Sequence, residues 1–326
     1  MTAAELLTKM AGLRVLIVGD LCLDQWCRYD PALAERSAET GIPRLAVTQT
    51  ECTPGAAGTV AANLRSLGVG QVSVLGVVGD DGHGHQLLRA LNLLDIGTDL
   101  VLREREVPTF TYTKLINAAT GAEDQPRVDF IFTGQMPAAV DATIASRLCD
   151  YAQHFDVICV SDQAETESGG VVTQSVRHVL EDLARGGMLI WVDSRKRIEL
   201  FECCVLKINE EEARDALVRA RCATLTQLRQ HANAPLLFVT CGGEEVRIAG
   251  HNGEIRVPTR RIPNPVDICG AGDSFTAGAS CSLALGVNPE TAAHFGHLVA
   301  SVTIMKKGTG SASPAELLEA ERIASL

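Results

Sequence analysis

The chain has 326 residues, of which 46% are hydrophobic and 21% charged, a composition that excludes a disordered protein. Its 29 basic and 40 acidic residues give a net charge of −11, which argues against a general affinity for nucleic acid or anionic membranes. The 11 cysteines include no C-x-x-C pair, so we expect free thiols and a reducing compartment.

The amino-terminal segment lacks a basic start followed by a long apolar run, and no apolar stretch approaches the ~20 residues of a membrane span. We therefore expect a cytoplasmic protein with neither signal peptide nor membrane segment.

Short β-branched runs alternate with longer helical patterns, which predicts an α/β fold with a mainly parallel sheet. In chain order we predict a strand at 14–18, a helix at 59–67, a strand at 72–78, helices at 85–94 and 140–151, a strand at 157–160, a helix at 171–184 and a strand at 188–192. Strands at 236–240, 246–249 and 255–257 precede two closing helices at 271–285 and 289–306. Without repeats or linkers, the chain is expected to form one domain over residues 1–326.

Two segments, 26–49 and 109–132, interrupt this rhythm with mixed polar and apolar residues. Both follow core strands, where ligand sites gather in open α/β sheets. We expect them to form a small β-lid over the site, built from about residues 22–50 and 107–132.

The strongest chemical signal is the turn Gly270-Ala271-Gly272 before Asp273, followed by a small, apolar helical segment. Such a turn points backbone N–H groups at one spot, and the helix dipole adds positive character, which suits a phosphate. Asp273 would repel that phosphate unless its carboxylate accepts a proton from an attacking hydroxyl. The alternative is a tight turn in which Asp273 only begins a helix, and the turn alone leaves both interpretations open.

Residues 267–275, D-I-C-G-A-G-D-S-F, resemble the D-x-x-G-A-G-D-x-F signature of the PfkB/ribokinase carbohydrate kinases. Other segments are similar to this family's motifs in the same order: the glycine motif at 54–68, G-x-V-G-D-D-x-x-G at 76–84, D-x-N-x-R at 193–197, N-x-x-E at 209–212 and V-T-x-G at 239–242. Stretches at 19–24, 108–115, 127–130, 161–162 and 306–314 look most similar to the heptose-7-phosphate kinases of lipopolysaccharide precursor synthesis.

The resemblance implies a ribokinase-like three-layer α/β/α fold and ATP-dependent phosphorylation of a hydroxyl on a sugar or sugar phosphate. A lid of this kind leaves an open sheet face, so the resemblance also implies a homodimer formed through the β-lid. Asp273 would be the general base. Gly270, Ala271 and Gly272 would form the anion hole for the transferring γ-phosphoryl group.

The resemblance also assigns the nucleotide and metal positions. Asn209 and Glu212 would place ATP and Mg²⁺, largely through water, and Thr240 and Gly242 would flank the nucleotide. Asp267 would order the anion-hole loop and a monovalent cation such as K⁺ beside it. Without the resemblance, Glu212 belongs to an acidic helix start that solvation and the helix dipole explain.

Asp24, Gly55 and Thr59 are the expected sugar-binding residues, and the departures from the family pattern lie mostly around them. Thr59 replaces a common sugar-contacting asparagine, and two basic residues typical of the heptose kinases are absent. The departures are Ala56 for glycine, Thr59 for asparagine, Ile116 for arginine, Glu165 for lysine, Arg195 for asparagine and Cys269 for threonine or serine.

The motif order therefore predicts a kinase more firmly than a heptose phosphate acceptor. One alternative is a family member that acts on a simple hexose, pentose or nucleoside. Another is a sugar-binding regulator without catalysis, which Asp273 and its intact glycine turn disfavour because binding alone needs no base.

Overall fold

The structure is a computed structural model that describes residues 1–164, 166 and 169–324. Its strands are β1 Arg14–Gly19, β2 Leu21–Tyr29, β3 Glu35–Arg36, β4 Pro43–Arg44, β5 Val47–Ala56, β6 Gln71–Leu75, β7 Val77–Gly79, β8 Leu102–Glu104, β9 Phe110–Asn117, β10 Val128–Phe130, β11 Val157–Asp162, β12 Leu189–Ser194, β13 Val205–Asn209, β14 Leu237–Cys241, β15 Glu245–Gly250 and β16 Gly253–Pro258. Its helices are α1 Ala3–Met10, α2 Ala57–Ser66, α3 Gly82–Leu93, α4 Ala138–Tyr151, α5 Gln174–Arg185, α6 Glu210–Arg219, α7 Leu225–His231, α8 Ala271–Ala284, α9 Pro289–Thr303 and α10 Pro314–Ala324.

The central sheet has eight strands in the order β16-β15-β14-β13-β12-β11-β1-β6. The strands from β14 to β6 in this order are parallel, whereas β15 and β16 are antiparallel additions at one edge. The parallel strands are apolar throughout because both faces of the sheet are covered.

Successive side chains of β1 face the two helical layers on opposite sides of the central sheet. Val15 and Ile17 pack into a core with α1, α2, α3, α8 and α9, and Leu16 and Val18 pack into a second core with α4, α5, α6 and α7. Successive strand residues point to opposite faces, so one apolar strand contributes to both cores. The expected three-layer α/β/α architecture with a mainly parallel sheet is confirmed.

A separate four-stranded sheet, in the order β10-β9-β2-β5, forms the lid. A single residue, Asp20, separates the end of β1 from the start of β2, so the chain passes directly from the central sheet into the lid. Strand β5 then leads into α2 without a break, which brings the lid back to the carboxyl edge of the central sheet.

Several elements differ from the sequence prediction. The strand expected at 72–78 is divided at Gly76 into β6 and β7, which belong to different sheets. A Cβ at Gly76 would lie 2.7 Å from the Gly19 carbonyl oxygen, so the chain bends there against β1. Strand β13 was not predicted, and the helix expected from residue 171 begins at Gln174. Glu165 lies outside the described residues.

None of the helices in the described part of the chain combines the length and apolar character that crossing a bilayer requires.

Candidate active site

The polar ends of the parallel strands meet at one edge of the central sheet, beneath the lid. Asp20 follows β1, Asp162 ends β11, Asp193 lies near the end of β12 and Asn209 ends β13. Ligands bind at this edge in open α/β sheets, and the glycine turn that begins α8 faces the same edge. The candidate active site is built from these strand ends, the turn and the inner face of the lid.

The glycine turn presents open backbone donors at the start of α8. Gly270 caps the helix with φ 77°, a left-handed conformation that glycine adopts without strain. The Ala271 N–H donates to the Ile268 carbonyl oxygen at 3.2 Å, and the Ser274 N–H donates to the Gly270 carbonyl oxygen at 2.9 Å. Among the described residues, the N–H groups of Gly272 and Asp273 have no acceptor, so they are the donors that the turn offers to an anion.

Asp273 lies in the first turn of α8, half-buried beside these two donors. Burial, reinforced by the nearby Asp193 carboxylate, raises the pKa of Asp273 to about 7, although Lys207 and Arg195 oppose the shift. A carboxyl group with a pKa near neutrality can accept a proton and release it again under physiological conditions.

Lys207 is a site residue that the sequence analysis missed. Its ammonium lies directly under the glycine turn, because a Cβ at Gly272 would stand 2.8 Å from Lys207 Nζ. Lys207 Nζ donates to Asp193 Oδ2 at 2.7 Å, and both side chains are less than one tenth exposed. Burial lowers the pKa of Lys207, but the Asp193 carboxylate more than compensates and the pKa is raised.

The Asp193 carboxylate holds the Lys207 ammonium in place, so that its positive charge faces the glycine turn although the pair as a whole is neutral. A buried lysine is rare unless it is paired, and here Thr276 Oγ1 also donates to Asp193 Oδ2 at 3.4 Å. The sequence signal that could have identified Lys207 is a lysine inside the short apolar run 205–208. A strand that is covered on both faces rarely contains a charged residue.

A cavity of about 180 Å³ opens between Asp273 and the lid. Asp24, on β2, faces it from above, and burial raises the pKa of Asp24 to about 6 despite the opposing charges of Lys114 and Arg127. The cavity is lined by Cys22, Asp24, Trp26, Ala56, Thr59, Tyr112, Lys114, Arg127, Gln163, Arg195, Cys269, Gly270, Asp273 and Thr309. We call it the acceptor cavity.

Gly55 supports Asp24 without lining the acceptor cavity itself. A Cβ at Gly55 would lie 2.4 Å from Cys22 Sγ and 2.7 Å from Asp24 Cγ. Only glycine therefore lets β5 pair with β2 at this point while these two side chains keep their positions. The structure therefore places Gly55 behind the predicted sugar-binding carboxylate.

Thr59 lines the acceptor cavity with its methyl group. Its hydroxyl donates to the Pro54 carbonyl oxygen at 3.3 Å. Its Cγ2 lies 3.3 Å from where a Cβ at Gly270 would stand. The threonine hydroxyl is therefore used in a hydrogen bond within the fold, and its methyl group faces the glycine turn. An asparagine at this position would present a polar surface to the turn.

Ala56 has a backbone conformation that an alanine rarely adopts, with φ 50° and ψ −117°. We expect Ala56→Gly to increase the free energy of unfolding by about 1 kcal/mol, because relief of the strain outweighs the entropy of the glycine. Denaturant unfolding would measure the change. Ala62→Gly, inside α2, is the matched control and should lower stability by about 1 kcal/mol; a loss at both positions would contradict the strain at Ala56.

Asn209 and Glu212 form a capping box at the start of α6. Asn209 Oδ1 accepts from the Glu212 N–H at 2.9 Å, and Glu212 Oε2 accepts from the Asn209 N–H at 2.8 Å. Burial and the Asp193 carboxylate raise the pKa of Glu212. The helix-start interpretation therefore describes part of their role, while Glu212 Oε1 and the Asn209 amide nitrogen remain available to a ligand.

Thr240 and Gly242 lie at and just beyond the end of β14. Thr240 Oγ1 makes only a long contact of 3.5 Å with the Ile208 carbonyl oxygen. Gly242, at φ 60°, has open space where a Cβ would stand, and a Cβ at Gly243 would meet Arg261 Cα at 3.2 Å. This loop therefore leaves room above the strand ends.

Another cavity, of about 840 Å³, shares no lining residue with the acceptor cavity. It is mainly apolar and runs along α9 toward α1 and α10. Arg260 and Ile262, which flank the Arg261 that contacts Gly243, line its other side. This groove therefore adjoins the loop at Gly242 and Gly243 rather than the glycine turn.

Asp267 organises the loop before the glycine turn. Its Oδ1 accepts from the Cys269 N–H at 2.9 Å, and its Oδ2 accepts from the Gly308 N–H at 3.1 Å. The described residues contain no group of three or more His, Cys, Asp or Glu side chains that could hold a metal ion. The structure thus does not bring Glu212 and Asp267, the two predicted metal residues, into a common ligand set.

Asp20 connects the base of the acceptor cavity to the central sheet through hydrogen bonds. Its Oδ2 accepts from the Gln163 N–H and its Oδ1 from the Val171 N–H, both at 2.8 Å. Asp162 accepts from Ser194 Oγ at 2.6 Å and pairs with Arg197. Burial and the neighbouring Asp162 raise the pKa of Asp20 to about 6. The sequence showed Asp20 only as part of a motif, without a role.

For the acceptor and the ATP that the sequence resemblance implies, we expect Asp20→Asn to raise the acceptor KM about tenfold and to leave the ATP KM unchanged, because an amide cannot accept from both N–H groups. Steady-state kinetics would measure the split. The matched control is Asp156→Asn, since Asp156 Oδ2 accepts from the Arg14 N–H at 2.8 Å at the opposite edge of β1. Both variants should lose stability, but an unchanged acceptor KM in Asp20→Asn would limit Asp20 to a structural role.

The chain is similar to known proteins in sequence. A sequence model described as pfkB family carbohydrate kinase matches residues 14–316. The bifunctional protein HldE of Trichlorobacter lovleyi is 28% identical to the chain, and the alignment covers 97% of this chain and 64% of that protein. The chain thus spans slightly less than two thirds of the length of this curated relative.

Solved structures agree on the fold. Phosphofructokinase-2 from Escherichia coli in complex with potassium superposes with a TM-score of 0.71 at 16% identity, over 96% of this chain and all of that chain (100%). Ribokinase from Arabidopsis thaliana, complexed with ribose and ATP, has a TM-score of 0.66 at 16% identity, over 94% of this chain and 98% of that chain. At these identities the likeness shows the shared ribokinase fold.

Proposed function

The chain belongs to the pfkB family of carbohydrate kinases, and on that premise we propose that it transfers the γ-phosphoryl group of ATP to a hydroxyl of a sugar or sugar phosphate. Members of this family are phosphotransferases with an alcohol acceptor, so the chain is an enzyme of that class. The observation that carries the proposal is Asp273 beside the open N–H groups of the turn, with the Lys207 ammonium beneath it.

In the proposed reaction the acceptor hydroxyl lies against Asp273, whose carboxylate takes the proton. The hydroxyl oxygen forms a bond to the γ-phosphorus, the bond from that phosphorus to the β–γ bridging oxygen breaks, and ADP leaves. The N–H groups of Gly272 and Asp273, together with Lys207, stabilise the negative charge of the transferring group. Asp24 orients the acceptor from the lid.

ATP is proposed to lie along Asn209, Thr240 and Gly242, with its adenine in the apolar groove that adjoins the Gly243–Arg261 contact. Glu212 and Asn209 would hold Mg²⁺ through water, since one Glu212 oxygen is free of the capping box and the ion prefers phosphate and water ligands. Mg²⁺ would supply positive charge to the phosphates. A K⁺ ion is proposed beside the loop that Asp267 orders.

A heptose 7-phosphate-like acceptor is the finer proposal, supported by the likeness to HldE. The absence of basic side chains at Ile116 and Glu165 favours an acceptor that differs from the heptose phosphate itself. A kinase for a simple hexose, pentose or nucleoside is the second candidate, and it is favoured by the apolar surface that Thr59 gives the cavity. A regulator without catalysis would not need the raised pKa of Asp273, because it transfers no proton.

The lid supports the proposed homodimer. Its segments carry exposed large hydrophobic side chains, among them Ile42 at 66%, Val47 at 46% and Phe130 at 43%, and such clusters mark interaction surfaces. A second copy is the proposed partner, and the cytoplasm, where ATP is available, is the proposed compartment.

The proposed function is tested by incubating the protein with ATP and Mg²⁺ and a panel of sugars, sugar phosphates and nucleosides. Mass spectrometry of the products should identify one class of compound that gains a phosphoryl group as ADP appears. ATP binding without any phosphorylated product across the panel would favour the regulator.

A further inference from the structure

A second cavity lies beside the acceptor cavity, against the lid. It has a volume of about 200 Å³ and shares Trp26 and Thr309 with the acceptor cavity. Arg28, Glu51, Ile116 and Lys307 line its outer part. We call it the outer cavity.

The register of the lid explains why the two cavities are adjacent. Asp24, Trp26 and Arg28 alternate along β2 and so share one face of the lid sheet. Lys114 lies opposite Trp26, and Ile116 lies opposite Arg28. At about 3.3 Å per residue, the Cα atoms of Asp24 and Arg28 are roughly 13 Å apart. An acceptor held by Asp24 must extend beyond its reacting ring to reach Arg28.

Trp26 forms the wall between the two cavities. Its indole ring lies 3.4 Å from where a Cβ at Gly308 would stand, and Gly308 has φ 72°. The glycine therefore lets the 306–310 loop close against the tryptophan. A flat aromatic surface in this position can pack against the face of a sugar.

The outer cavity has a surplus of positive charge in a protein whose net charge is −11. Lys307 has no ion-pair partner among the described residues. Arg28 Nε lies 4.0 Å from Glu51 Oε1, the limit of an ion pair, and both side chains remain partly exposed. The Thr53 hydroxyl, which also borders the cavity, is buried without a hydrogen-bond partner in the described part of the chain. The two cations outnumber the one carboxylate of the cavity, which suits an oxyanion.

We propose that the outer cavity binds an anionic group, a phosphate or a carboxylate, that the acceptor carries at the end remote from its reacting hydroxyl. Arg28 and Lys307 contact this group and Trp26 packs against the connecting part of the acceptor. The inference rests on the proposed function for the identity of the acceptor as a sugar derivative. In this proposal, Arg28 and Lys307 supply the positive charge that is absent at Ile116.

Trp26 provides a direct probe, because the only other tryptophan, Trp191, is fully buried. The protein would be titrated with D-mannose, D-mannose 6-phosphate, D-glucuronate and inorganic phosphate while tryptophan fluorescence is recorded. We expect an anionic sugar to bind with a Kd at least ~10-fold lower than that of mannose. Mannose 6-phosphate and glucuronate distinguish a phosphate from a carboxylate as the preferred group.

The Arg28→Met/Lys307→Met double variant should lose this preference. The matched control, Arg105→Met, removes an 89% exposed arginine that is paired with Asp80 away from the cavity and should keep it. Equal binding of charged and neutral sugars, no binding of any probe, or an unchanged double variant would each overturn the proposal. Because fluorescence needs no turnover, an active kinase without the charge preference refutes only the outer cavity. Charge-dependent binding without turnover in the product assay refutes only the proposed function.

Discussion

Replacing Asp273 with asparagine is expected to lower kcat by about 10²- to 10⁴-fold, the usual contribution of a general base. The amide keeps the shape of the side chain but cannot accept the hydroxyl proton. ATP affinity should change little, because the N–H groups of Gly272 and Asp273 and the Lys207 ammonium remain. Coupled kinetics and an ATP-binding titration would measure the two effects.

The matched control is Asp215→Asn, which removes an exposed carboxylate from α6 and should leave kcat unchanged. Turnover of Asp273→Asn within a few-fold of the unmodified protein would show that Asp273 only begins the helix.

The raised pKa of Asp273, about 7, also fixes the direction of the pH dependence. Because the base must be ionised, kcat/KM should rise with pH through about 7 and then level. The folded state binds this proton more tightly than the unfolded state, so the group stabilises the fold at low pH and that contribution is lost as the pH rises through about 7. Asp273→Asn should therefore be more stable than the unmodified protein above that pH.

Lys207→Met is expected to abolish turnover and to lower the free energy of unfolding by about 3–5 kcal/mol, the effect of leaving one partner of a buried ion pair uncompensated. The Asp193 carboxylate would remain buried beside Asp273 and raise the pKa of Asp273 further. Denaturant unfolding and the pH dependence of residual activity would measure both consequences.

A double variant separates the structural role of Lys207 from its role at the site. Lys207→Met/Asp193→Leu replaces the buried pair with apolar side chains and should recover most of the stability, but not the activity. As a control, Asp156→Ala removes one partner of the exposed Arg14–Asp156 pair, which contributes about 1 kcal/mol or less. Normal turnover in the double variant would restrict the buried pair to a structural role.

The α/β architecture and the catalytic turn could be predicted because their signals are local. Apolar runs with turn residues between them indicate the strands, and the glycine turn before Asp273 indicates a candidate anion site at a helix start. Strand β13 escaped prediction because Lys207 interrupts its apolar run, and its charge makes sense only beside Asp193, fourteen residues away in the sequence. The division of β6 from β7 depends on contact between Gly76 and Gly19, which no local pattern records.

The acceptor side was harder to predict because it is formed by contacts between distant segments. Thr59 was expected to bind the sugar, but its hydroxyl bonds to Pro54 and its methyl group lines the cavity. Gly55 lies behind Asp24 and is not among the residues that line the acceptor cavity. The outer cavity joins residues of β2, β9 and the 306–310 loop, and only the lid register brings Arg28 and Lys307 to one place.

We propose that Asp273 accepts the proton of the acceptor hydroxyl during phosphoryl transfer from ATP at the glycine turn. The most direct test is the rate of ADP release with ATP and Mg²⁺ at pH about 8, above the pKa of Asp273, across the acceptor panel for the unmodified protein and Asp273→Asn. Acceptor-dependent ADP release that falls by at least ~10²-fold in Asp273→Asn is the predicted result. Equal rates in both proteins, or ADP release that no acceptor stimulates, would contradict it.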